Sequence, residues 1–144
     1  MKDYQFNGNF LYYVRLIKKM YERTLQEAAE KCGLTLPEAD VLSYLRENPE
    51  FDTARDISLY REVSRAYVSK AVELLVNKGY IQITQDMADR RLLHLGITPA
   101  AQETSETLHE ELFAFYDRIT AGLSGKELRA MIQAIEKCAV NLTE

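Results

Sequence analysis

The chain has 144 residues, 47% of them hydrophobic, a formal net charge of −4 and 2 cysteines. That is ample material for a core, either one compact domain or two small interdependent lobes. No apolar run reaches the roughly 18 residues a membrane span needs, and Met1-Lys2-Asp3-Tyr4 lacks a secretory pattern, so a soluble cytoplasmic protein is expected.

In chain order, Phe6, Phe10, Tyr13 or Val14, Ile17, Met20 or Tyr21, Leu25 and Ala28 recur at three- and four-residue steps. They predict one long helix ending near Gly33. Thr35-Leu36-Pro37-Glu38 is a capping box with an early-turn proline, and it opens a helix that turns Ala39, Val41, Leu42 and Leu45 inward until Pro49 ends it. Asp52 or Thr53 can cap a short helix over 54–60 with Ile57 and Leu59 or Tyr60 on its apolar side. After a turn, Ser64 caps a second helix whose buried stripe is Val68, Ala71, Val72 and Leu75, with Lys78-Gly79 as its close. Residues 80–85 and 92–97 switch to alternating, β-branched character around a polar tip at 86–91, predicting a hairpin. Thr98-Pro99 then starts a long helix through Leu108, Leu112, Phe115 or Tyr116 and Ile119. A second capping box at Ser124-Gly125-Lys126-Glu127 opens the last helix, with Leu128, Met131, Ile132, Ile135, Ala139 and Leu142 on its apolar side.

The helix from Ser64 is the informative element. Its outward side carries Arg65, Ala66, Tyr67, Ser69 and Lys70, donors of the kind that base edges and phosphates accept, and its N-terminal dipole favours phosphate. The hairpin tip adds Arg90 and Arg91, suited to a narrow minor groove, with Asp89 placed to hold Arg91 by a charge-assisted hydrogen bond. The acidic net charge is not spread evenly: from Arg61 to Thr98 the cations Arg61, Arg65, Lys70, Lys78, Arg90 and Arg91 outnumber Glu62, Glu73, Asp86 and Asp89. A locally basic face on an acidic chain lowers loose attraction to DNA and makes affinity depend on correctly spaced headpieces.

These residues carry a resemblance. The run from Ile57 to Ile81 resembles the winged helix of the MarR family of bacterial transcription regulators through Val63-Ser64, Val68-Ser69-Lys70, Leu75 and Lys78-Gly79. The hairpin is similar to that family's wing through Asp86, Asp89-Arg90-Arg91 and Thr98-Pro99. The resemblance implies a mainly α fold with a small β-hairpin wing. It divides the chain into an N-terminal dimerisation helix at 1–33, a winged helix-turn-helix DNA-binding domain at 34–98 and C-terminal dimerisation helices at 99–144. It places Ser64, Arg65, Ala66, Tyr67, Ser69 and Lys70 at the major groove and Arg91, with Arg90 second, in the minor groove. A homodimer on a pseudo-palindromic operator follows, most often as a ligand-responsive repressor. Two positions depart from the family pattern: Arg61-Glu62, where an apolar residue and a glycine are common, and Ala101, where a glycine usually stands.

Regulators resembling this one respond to small aromatic or phenolic compounds, to oxidants through a cysteine, or in one branch to zinc. A cleft between headpiece and dimer helices would involve Tyr13, Ile17, Tyr21, Leu42, Tyr44, Leu45 and Leu112, residues that equally suit a core. Cys32 sits beside Lys31 at a helix end that opposes thiolate formation, and Cys138 reads as a small buried hydrophobe; no disulfide is expected. Cys32, Asp40, His109 and Glu106 or Glu110 offer a single imidazole, too little for a zinc site, and His94 reads as a surface or packing residue on the wing. No metal or cofactor is expected. No phosphate loop, nucleophile elbow or Cys-x-x-Cys pair occurs, so an enzyme is not expected either. The alternative is a winged helix that binds another protein instead of DNA.

Overall fold

The computed structural model describes residues 8–143, in two compact units, one ending at Leu112 and the other starting at Phe113. The expectations for Phe6 and for Met1-Lys2-Asp3-Tyr4 lie outside the described residues. The fold is mainly helical with a two-stranded antiparallel wing, as the sequence predicts.

Helix α1 runs Phe10–Lys31 and stops where Gly33, at φ 66, lets the Leu34 N–H donate to the Ala29 carbonyl at 2.9 Å. Among the described residues its burial falls in the second half, at Leu25, Ala28 and Ala29, while the apolar residues from Phe10 to Ile17 stay exposed. Helix α2 (Leu36–Glu47) is the centre of the core, with Ala39, Val41, Leu42, Tyr44 and Leu45 all buried. The Thr35 hydroxyl accepts from the Glu38 N–H at 3.4 Å, and the Glu38 carboxylate accepts from the Thr35 N–H at 3.0 Å, closing the predicted capping box. Burial alone would raise the Glu38 carboxyl, but the Lys78 ammonium at 2.7 Å and the Thr35 donors outweigh it and hold the group below its usual range.

Helix α3 (Ala54–Arg61) is opened by Thr53, not Asp52, in a reciprocal box with Asp56, and it seats Ile57 in the core. Helix α4 (Arg65–Asn77) is capped by Ser64, whose hydroxyl accepts from the Tyr67 N–H at 3.0 Å, and it buries Val68, Ala71, Val72 and Leu75 as the spacing predicts. Strands β1 (Ile81–Gln85) and β2 (Leu93–Ile97) pair with Ile81 opposite Ile97 and Ile83 opposite Leu95. The Leu95 N–H also donates to the Asp52 carbonyl at 2.9 Å, tying the wing to the loop ahead of α3. Thr98-Pro99 does not start the next helix directly. Pro99–Ala101 forms a single tight turn, closed by the Ala101 N–H on the Thr98 carbonyl, before α5 begins at Gln102 and runs to Ile119. Leu108 and Leu112 of α5 complete the core, and Arg46 of α2 pairs with Glu106 at 2.8 Å.

In the second unit, Ser124 and Glu127 form the other predicted capping box at the start of α6 (Gly125–Thr143). No described side chain of α6 is buried, and Met131, Ile132, Ile135, Val140 and Leu142 lie open.

Candidate nucleic-acid interface

The helix-turn-helix is held by a turn of unusual chemistry. Glu62 sits in the left-handed region at φ 52 and ψ 46, and its N–H donates to the Ser58 carbonyl. The same carbonyl accepts from Val63, whose own carbonyl takes the Ser58 hydroxyl at 2.6 Å. This turn leaves the first face of α4 outward: Arg65, Ala66, Ser69 and Lys70 are exposed, as is the cap Ser64. Tyr67 departs from the expected outward set. One residue ahead of Val68, at the edge of the buried stripe, it is half-buried and its hydroxyl donates to Asp40 Oδ2 at 3.4 Å. Burial first, and the Asp40 charge second, push the Tyr67 phenol up to about 12.

The wing tip is shaped by its aspartates. Asp86 Oδ2 accepts from the Ala88 and Asp89 N–H groups at 2.9 and 2.8 Å, and Asp89 Oδ1 accepts from the Arg91 N–H at 2.9 Å. Asp89 therefore fixes the backbone of Arg91 and not its guanidinium, a different bond from the one the sequence suggests. The Arg90 carbonyl accepts from Gln85 Nε2, which leaves the Arg90 side chain exposed. At the base of the tip, His94 lies between Asp52 Oδ1 (2.6 Å from Nδ1) and Asp86 Oδ1 (2.8 Å from Nε2), so it bridges two carboxylates where the sequence suggested a surface or packing residue.

Wing and helices meet at an open crevice of about 430 Å³ lined by Thr53, Ala54, Arg55, Arg65, Asp89, Arg91, Leu92 and Leu93. Arg65 of α4 and Arg91 of the tip thus face one space, together with Arg55 of α3, which the sequence did not single out. Arg55 and Arg65 also flank a neighbouring hollow with Ser58, Leu59 and Glu62. Among the described residues no ion pair engages Arg55, Arg65, Lys70, Arg90 or Arg91. Arg55 carried one usable signal, an outward position in the first turn of a helix that leads into a helix-turn-helix.

A second cavity, of about 540 Å³, opens between α1, α2, the α3–α4 turn and Tyr67. Of the residues expected around an effector, Tyr21 lines it. Leu42, Leu45 and Leu112 are packed in the core, Tyr44 is buried there with its hydroxyl unpaired, and Tyr13 and Ile17 lie exposed on α1. The polar floor of the cavity is Arg61, whose guanidinium donates to the Tyr21 hydroxyl at 2.9 Å and reaches Glu47 at 3.5 Å. Its Nε lies 3.4 Å from Asp40 Oδ1, close enough for charge attraction but not aligned as a hydrogen bond. Burial opposes the Arg61 charge, but Tyr21, Asp40 and Glu47 together raise its affinity for the proton. For Asp40 the balance falls the other way, and burial raises its carboxyl despite Arg61 and the Tyr67 hydroxyl.

Cys32 is half-buried and its thiol is raised by burial and by Glu111, against the pull of Lys31. Cys138 is exposed, not buried as its apolar neighbours suggested. Among the described residues no three His, Cys, Asp or Glu side chains gather as metal ligands, and no helix is long and apolar enough to cross a membrane.

Residues 33–92 match the model of the MarR family. The HTH-type transcriptional regulator BilQ of Clostridium symbiosum (strain WAL-14163) is 20% identical over 128 residues, covering 89% of this chain and 88% of that protein. A MarR-family transcriptional regulator from Silicibacter pomeroyi shares the fold at a TM-score of 0.82 and 21% identity, over 93% of this chain and 90% of that one. A putative MarR-family regulator from Listeria monocytogenes, solved in complex with a 26mer DNA, superposes with a TM-score of 0.79 at 18% identity, over 99% of this chain and 90% of that one.

Proposed function

We propose that the chain, whose residues 33–92 match the MarR family, is a winged helix-turn-helix transcriptional regulator that binds double-stranded DNA as a cytoplasmic homodimer. Helix α4 enters a major groove with Ser64, Arg65, Ala66, Ser69 and Lys70, while Arg91, flanked by Arg90, reaches the adjacent minor groove. Asp89 sets the tip backbone, and Tyr67 positions α4 from its inner edge.

The observation that carries the reading is the crevice in which Arg55, Arg65 and Arg91 converge without ion-pair partners among the described residues. Three like charges around one space repel each other in the free protein, and a phosphate backbone relieves that repulsion. The dimer rests on two uncovered apolar faces, the first half of α1 and all of α6, which a second copy covers. Regulation by a small aromatic or phenolic effector is supported by the Tyr21-Arg61-Asp40 cavity, and repression is the sense that the family resemblance implies.

The test is duplex binding across a salt series, using genomic fragments that co-purify with the protein. Arg91→Ala and Arg65→Ala should each weaken binding and lower the slope of log affinity on log salt by about 1 per headpiece, about 2 per dimer. Binding that ignores salt, or an Arg91→Ala dimer with an unchanged slope, would show that the crevice does not hold phosphate and would favour a protein partner.

A further inference from the structure

Building on the reading of the chain as a duplex-binding regulator, we propose that His94 is a positioning residue for DNA: its imidazolium ties the wing to the loop ahead of α3 and so holds Arg91 at the crevice shared with Arg55 and Arg65. Each link is a short contact. Asp52, one end of the tie, directly precedes Thr53, the cap that opens the helix carrying Arg55. Asp86, the other end, uses its second oxygen to accept from the Ala88 and Asp89 N–H groups, and Asp89 in turn takes the Arg91 N–H. A chain of hydrogen bonds therefore runs from the foot of α3 through the imidazole to the backbone of Arg91. The Leu95 N–H on the Asp52 carbonyl runs beside it.

The double contact requires the charged ring. A neutral imidazole has one N–H, so it donates to one carboxylate and sets a bare nitrogen lone pair against an oxygen of the other, at 2.6 or 2.8 Å. Only the imidazolium satisfies both. The groups act on each other accordingly: Asp52 first and Asp86 second raise the His94 pKa above 6.5, while the His94 bond, with the tip N–H groups, holds Asp86 down to about 2. The ionisable groups that bond His94 are these two carboxylates, and its cross-strand partner Thr84 does not titrate. Because the folded pKa of His94 is raised, the tie is whole below pH 6.5 and is lost as pH rises through the folded value. Both wing placement and DNA affinity then decline on the alkaline side, where Asp86 stays ionised throughout.

The experiment compares the unmodified protein with His94→Gln at constant ionic strength from about pH 6 to about pH 9, a span that brackets an imidazole raised by carboxylates. Two quantities are read: affinity for a co-purified duplex, and exchange protection of the Leu95 amide in the free protein, corrected for base catalysis. Expected is a loss of affinity of about fivefold across the range for the unmodified protein, with His94→Gln starting weak and staying flat. Leu95 protection should fall with pH in the unmodified protein and be low at all pH in the variant. Asp52→Asn, which keeps the shape of its side chain, should move the midpoint of the affinity profile down and serves as the second variant if His94→Gln folds poorly. Parallel pH profiles for all three proteins, or Leu95 protection unaffected by His94→Gln, would overturn the tie. Failure of the unmodified protein to bind any duplex at any pH, with Leu95 behaving as expected, would instead overturn the regulator reading and the DNA role of His94 with it.

Discussion

Glu62 offers a stability test whose sign follows from one backbone angle. Among the described residues it is the only non-glycine with positive φ, at 52, and it occupies the left-handed position that closes α3. A side chain there costs about 1–2 kcal/mol, because Cβ crowds the following carbonyl. Replacing it by glycine removes that cost but adds about 0.4–1 kcal/mol of unfolded-state freedom, leaving a net gain of roughly 0.5–1 kcal/mol. Little else is lost: the side chain is exposed, and the turn is held by the Ser58 and Val63 bonds, which the substitution does not touch. Thermal unfolding at one fixed protomer concentration should therefore show Glu62→Gly more stable, with a rise in Tm of about 2–4 °C. Because Glu62 lines a hollow with Arg55 and Arg65, its removal also takes an anion from the proposed phosphate site. Glu62→Gln separates the two effects, since it removes the charge and keeps the strain, so it should tighten DNA binding without the gain in stability. A Glu62→Gly protein no more stable than Glu62→Gln would show that the strain at this angle does not exceed the about 0.4–1 kcal/mol of unfolded-state freedom that glycine adds, which refutes the expected gain.

Glu38→Ala removes half of a capping box and strands Lys78, and should cost about 2 kcal/mol at neutral pH. Since the Glu38 carboxyl is held below 4.5, its contribution is present above that value and lost as pH falls through the lower folded pKa, so unfolding at acid pH should narrow the gap to the unmodified protein. Arg61→Met leaves Asp40 buried without its cation and should cost on the order of 2 kcal/mol at pH 7 by chemical denaturation. With a raised folded pKa, Asp40 favours the folded state when protonated, so this deficit should shrink toward acid pH; an equal deficit at all pH would mean that Asp40 is rehydrated in the variant.

What could be read along the chain was what is decided within one turn of it. Thr35 with Glu38, Ser64 with the Tyr67 N–H and Ser124 with Glu127 lie three residues apart, so spacing alone specifies their bonds. The buried stripe of α4 follows in the same way from helical period. Asp52 was ambiguous for a physical reason: an aspartate beside a threonine is as good a cap, and only the arrival of His94 from 42 residues away decides that Asp52 serves the wing and Thr53 the helix. Arg55 escaped notice because its partners in the crevice come from α4 and the wing. The effector residues failed differently. Leu42, Leu45 and Leu112 have the period of a helix face, and period does not distinguish a face that lines a cavity from one that fills it.

The departure at Arg61-Glu62 links the cavity to α4. An apolar residue at position 61 would extend the core, whereas the arginine found there is a largely buried cation that must collect partners, and it draws them from two other helices. It holds Tyr21 of α1 and both Asp40 and Glu47 of α2, and Asp40 in turn accepts from Tyr67 of α4. The floor of the Tyr21-Arg61-Asp40 cavity is thus bonded to the inner edge of α4. An effector there changes DNA affinity only so far as it binds two placements of α4 unequally. A coupling of about 1–3 kcal/mol, or about 5- to 150-fold in affinity, is what ordinary allosteric proteins achieve. Competition for one Asp40 oxygen or one Arg61 donor is of that order, since hydrogen bonds to charged groups contribute about 1.5–3 kcal/mol. The polar floor therefore suffices to connect the cavity to α4, and through it to the proposed DNA-reading face, without any large rearrangement of the core.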